Sequence, residues 1–171
     1  AFIALISTYL VVVGLTRWGD ITPPEILITQ PFEQVGPKTP LSIRISDPGT
    51  GLRHISVRIV HNLKTYVLAE QSFASHGLLS PEGGKRRDFE LTVAPYADNT
   101  IPRKPGEAKL LITARDYSWR NLFEGNGQRL TQDFTPKFTP PRLELFSPPS
   151  SITQGGAGVI RYRASPDAVV H

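Results

Sequence analysis

Few residues in this chain have the types and spacing that chemistry needs. Its histidines are His54, His61, His76 and His171, and no H-x-H, H-E-x-x-H or H-x-x-x-D spacing brings two ligands onto one strand or helix turn. His54 and His61 flank a predicted strand at an odd separation, so they point to opposite faces of it. Cysteine is absent, which removes disulfides, thiolate nucleophiles, iron–sulfur clusters and cysteine-based zinc sites. No G-x-S-x-G or S-x-x-K occurs, and PEGGK at 81–85 lacks the spacing of a phosphate loop and reads as a turn. Catalytic residues, metal ligands and cofactors are all expected to be absent from this stretch.

One local concentration of aromatic and polar groups remains, ARDYSWRNLF at 114–123. Tyr117, Trp119 and Phe123 are the candidate contacts for a glycan or a partner protein. The plainer reading is that Asp116, Ser118 and Asn121 hold the loop by side-chain to backbone hydrogen bonds while Trp119 covers the edge of the core. Lys85, Arg86 and Arg87, with Arg103 and Lys104, form basic clusters suited either to solvent or to anionic headgroups. No nucleic-acid partner is expected, because the 19 basic and 15 acidic residues are interspersed despite a net charge of +4.

The elements that position these groups begin with an uncharged, proline-free apolar run at 1–16. As a helix it would be about 24 Å long, close to the ~30 Å hydrocarbon core of a bilayer. Arg17 and Trp18 follow at once, a cation and an amphipathic ring of the kind found at the headgroup level. Residues 1–18 are therefore read as a transmembrane helix, against two alternatives: the apolar part of a signal peptide, or a buried element of a soluble domain. The chain lacks methionine and opens inside the apolar run, so a cut or processed N-terminus is expected. Charge alone does not orient the span.

Proline and glycine, 16 and 14 residues, disfavour long helices beyond this point. Short alternating strands are predicted instead at 25–29, 41–46, 55–59, 66–69, 88–93, 109–114 and 128–135. Asp47-Pro48-Gly49 and Asn62 mark turns, and Asn126-Gly127 reads as a hairpin. Seven strands over residues 19–138 predict an all-β, immunoglobulin-like sandwich. The chain also repeats: TPPEILI at 22–28 matches TPPRLEL at 139–145, and Ile43-Arg44-Ile45 falls on Ile160-Arg161-Tyr162 at the same offset of 117. Residues 139–171 are accordingly expected to be the first strands of a second, truncated Ig-like domain, or else an extra hairpin closing the first.

The order of these features, an N-terminal span, a TPP-opened domain with SDPGTGLRHISV at 46–57, ARDYSWRN at 114–121, then TPP and QGGAGVIRYRAS at 154–165, resembles the N-terminal region of membrane-anchored M23-type (lysostaphin-like) peptidoglycan endopeptidases of Gram-negative bacteria. The resemblance implies a single-pass inner-membrane protein with its β domains in the periplasm. It also implies a downstream zinc peptidase domain as partner, and possible contact with peptidoglycan or an envelope protein. Zinc belongs to that downstream domain, whose H-x-x-x-D and H-x-H motifs do not occur here, so no catalytic residue carries over. The expected role is a non-catalytic, membrane-anchored spacer or regulatory region. The alternatives are an Ig-like recognition module and a structural subunit of an envelope complex.

Overall fold

The computed structural model describes residues 2–30, 32–138, 143–146 and 161–164. The chain is mostly β, 43% strand against 16% helix, with an apolar helix at its N-terminus. It divides into two units, Ala1–Lys137 and Phe138–His171.

Helix α1, Phe2–Gly19, is long and apolar enough to cross a membrane. Only Val13 and Arg17, one turn apart on one face, are buried by the rest of the unit. Leucine, isoleucine, valine and phenylalanine elsewhere on α1 face outward, whereas a soluble domain's helix would hide an apolar stripe and show a polar one. Two of its hydroxyls are satisfied within the helix: Thr8 Oγ1 donates to the Ala4 carbonyl and Thr16 Oγ1 to those of Val12 and Val13. Neither needs water.

Eight strands of the first unit form two sheets. One has the order β1-β3-β6, with β1 at Glu25–Ile28, β3 at Leu41–Ser46 and β6 at Asp88–Val93, all antiparallel. The other has the order β2-β8-β7-β4-β5, built from Gln34–Val35, Gly127–Pro136, Ala108–Asp116, Leu52–His61 and Lys64–Ser72. Alternation sets which face is hidden. Leu41, Ile43 and Ile45 of β3, Ile55, Val57 and Ile59 of β4, and Leu110 and Ile112 of β7 are buried, while their neighbours in sequence are less so. Tyr96 is fully buried too, its hydroxyl 3.3 Å from His61 Nδ1, and burial pushes the phenol up to about 12.

Two sequence expectations change. The two-residue strand β2, too short to carry a pattern, pairs in parallel with the end of β8. Asn126-Gly127 does not form a tight hairpin; β7 and β8 pair in antiparallel register up to Arg115 opposite Gly127, and residues 117–126 make a longer connection between them. Asn126 is drawn instead to Asp116, as described below.

In the second unit β9, Leu143–Leu145, pairs antiparallel with β10, Tyr162–Ala164. This is the same kind of pairing as β1 with β3. Against the repeat the register is displaced by two residues, which keeps the side-chain alternation in phase. The QGGAG segment and the second TPP lie outside the described residues.

Candidate functional site

The 117–126 connection is built around one carboxylate. Asp116, at the end of β7 and fully buried, accepts hydrogen bonds at Oδ1 from the Ser118 amide (3.0 Å), the Ser118 hydroxyl (2.8 Å) and the Asn126 amide (2.6 Å). Its Oδ2 accepts from Asn126 Nδ2 (2.8 Å). The chain therefore leaves and rejoins the sheet at one anchored point. Burial raises the Asp116 carboxyl above its ordinary range, and the bonds from Ser118 and Asn126 oppose that shift.

The aromatic groups of this connection meet the end of α1. A helix leaves its last carbonyls without intrahelical partners. Here the Trp119 amide donates to the Arg17 carbonyl (2.9 Å) and Arg120 Nη1 to that of Trp18 (3.3 Å). Trp18 Nε1 returns a bond to the Trp119 carbonyl (2.9 Å), and the two indoles pack edge to face with centroids 6.2 Å apart. Arg17, expected at the headgroup level, is only 3% exposed. Its guanidinium lies 5.7 Å from the Trp119 ring and 6.0 Å from that of Tyr117, and Nη1 donates to the Ser80 carbonyl (3.1 Å). Trp18 remains largely exposed.

Tyr117 is held by its hydroxyl on the Phe73 carbonyl (2.5 Å) and stacks under Arg53 as well as Arg17. It lines a groove of about 430 Å³ with Arg53, His54, Arg115 and Glu124, where Arg115 pairs with Glu124 at 2.6 Å and holds its carboxyl below the usual range. Phe123 packs on Trp119. It also closes an unusual run: Asn121, Leu122 and Phe123 all adopt positive φ, a strained conformation for side-chain-bearing residues, and Leu122 is 93% exposed at its crest. The two basic clusters are not brought together. Arg86 and Arg87 bond the Asp47–Leu52 end of the fold, whereas Arg103 holds the Tyr96 carbonyl near the opposite end of β4.

Sequence reasoning missed a second constellation at the same junction. Asp20, just beyond α1, Asp47, at the end of β3, and Asp116 each place a carboxylate oxygen within 4.8 Å of the others. Asp20 Oδ2 accepts from the Thr50 amide (2.7 Å) and Oδ1 from that of Thr22 (3.2 Å), while the Asp20 carbonyl accepts from Asn126 Nδ2 (3.0 Å). Asp47 Oδ1 accepts from the Gly49 amide (3.0 Å). Burial above all pushes the Asp47 carboxyl up to about 6; the Gly49 and Gly51 amides oppose the shift, and the charges of Asp116 and Asp20 add to it. Motif spacing gives no warning of such a set, because its members come from three separate segments.

These groups are the end of an apolar helix, an aromatic clamp and three converging carboxylates; apart from them, in the groove beside Tyr117, Ser72 Oγ lies 3.1 Å from His54 Nδ1 and His54 Nε2 lies 3.3 Å from the Glu70 carboxylate. Compared with known proteins, the chain matches no family model and no curated protein.

Proposed function

We propose that this chain is the membrane-anchored, non-catalytic spacer region of a peptidoglycan metallopeptidase of the M23 type. In this reading α1 crosses the bacterial inner membrane once, and the β1-β3-β6 and β2-β8-β7-β4-β5 sheets form the two layers of an immunoglobulin-like sandwich in the periplasm. The zinc domain lies further along the parent protein. The observation that carries the anchoring role is the clamp: the last carbonyls of α1 are capped by residues of the β7–β8 connection. A span joined to its domain by a floppy linker would only tether. A span built into the domain sets the domain's attitude and height above the membrane, and so limits where a downstream hydrolase can reach.

A recognition module is the second reading, favoured by the strained 121–123 run and the groove beside Tyr117. Against it, Tyr117 and Trp119 spend their rings on Arg17, Arg53 and Trp18. Fusing a periplasm-activated reporter phosphatase after residue 171 tests the anchoring: an active reporter in a membrane pellet that resists carbonate washing supports it, and an inactive or washable fusion overturns it. Reading the coding sequence beyond His171 tests the enzyme. H-x-x-x-D and H-x-H downstream support the peptidase, and their absence removes it.

A further inference from the structure

Burying charge is costly unless something compensates it, and the junction holds three carboxylates together. Among the described residues none of Asp20, Asp47 and Asp116 makes a salt bridge. Donors deal with two of them. Asp116 receives four hydrogen bonds and Asp20 two from backbone amides. Asp47 is different: it is fully buried, and its Oδ2 has no hydrogen-bond partner among the described residues. The same is true of a neutral oxygen close by. Thr50 is 3% exposed and its Oγ1 is sealed without a partner, although the amide of the same residue grips Asp20. An orphaned carboxylate oxygen thus sits beside two further carboxylates, and an orphaned hydroxyl lies in the same turn.

We propose that Asp20, Asp47 and Asp116 bind a calcium ion that locks the end of α1 onto the β domain. Only oxygen donors converge here, which fits a hard cation and disfavours zinc or copper. Carboxylate oxygens within 4.8 Å of one another are close enough to share one hard cation. Calcium is favoured over magnesium because it accepts irregular oxygen geometry, whereas magnesium demands a near-ideal octahedron and dehydrates reluctantly. The ion would join three segments that sequence keeps apart: the residue after α1, the turn after β3 and the end of β7. The site stands on this geometry and does not depend on whether α1 lies in lipid.

The test uses the full chain in detergent micelles, stripped with EDTA and titrated with calcium, magnesium or terbium. Calcium is expected to raise the Tm by about 5–10 °C at a hundredfold excess over Kd, with magnesium giving much less. Terbium should show luminescence sensitised by Trp18 and Trp119, quenched by added calcium. Asp20→Asn keeps an acceptor for the Thr50 amide, so it should fold and bind at least tenfold more weakly. Asp47→Asn should invert the order of stability, with a higher Tm than the wild type in EDTA and a lower one in calcium. A purely structural carboxylate would not produce that inversion. No calcium-dependent shift at millimolar concentration, or a shift that both variants retain, overturns the site. If Asp47→Asn does not fold, the Asp20→Asn titration decides alone.

Discussion

Trp119 shows how one side chain can belong to two structures at once, because its ring packs on Phe123 of its own loop and on Trp18 of the helix. Truncation to alanine should cost about 2–4 kcal/mol, from lost ring burial and the lost edge-to-face contacts. Trp119→Phe should cost much less, since Trp119 Nε1 is buried with no acceptor and nothing is stranded by its removal. Urea midpoints followed by the fluorescence of Trp18 would rank the three proteins; equal losses for both variants would mean that the clamp does not act through the ring. Asp116 calls for the opposite logic. Replacing it with alanine strands the buried donors of Ser118 and Asn126 and should cost more than about 3 kcal/mol, whereas Asp116→Asn retains one acceptor oxygen and should lose roughly half as much. Chemical denaturation in EDTA is the measurement, so that any bound cation does not enter the comparison.

At the scale of elements, α1 and the loop around residues 77–80 pose a problem of depth. The 18 residues of α1 span about 27 Å, barely a hydrocarbon core, yet Tyr9 Oη, near its middle, donates to the Leu79 carbonyl (3.0 Å). If all of α1 lies in lipid, this loop lies there too. Its composition fits, with Leu78 and Leu79 exposed. Three of its four carbonyls have partners, Gly77 in the Ser80 amide, Leu79 in Tyr9 and Ser80 in Arg17, as non-helical backbone at that depth requires. The absence of cysteine makes single labels clean. A fluorophore on Leu79→Cys in proteoliposomes should be quenched by brominated lipid and shielded from iodide, as one on Ala4→Cys should be. A label on Leu63→Cys, at the fully exposed turn beyond β4, should behave the other way round. Lipid quenching at residue 4 without quenching at 79 would leave the span and remove the immersed loop.

For the whole molecule, the clamp predicts that helix and β domain move as one body. In nanodiscs, the anisotropy decay of a label on Leu63→Cys should show the slow tumbling of the disc, and Trp119→Ala should add a fast component of large amplitude. Fast decay already present in the otherwise unaltered chain would mean a flexible tether and would weaken the spacer proposal, whose physical content is a fixed reach.

The order of residues alone determined that this chain carries a continuous apolar helix and a β-rich body, because lipid-length apolar runs and period-two alternation leave a direct imprint on sequence; β3 and β6 fall on the predicted residues 41–46 and 88–93. The short strand β2 left no such imprint, and Asn126-Gly127 misled because Asn126 serves a carboxylate ten residues away rather than a two-residue turn. Arg17 and Trp119 were visible as residues but not as partners. Only the tertiary structure decided that the helix ends inside an aromatic clamp and that Asp20, Asp47 and Asp116 converge, since both depend on which strand ends the sheets bring to the same side. Sequence distance carries no record of that proximity.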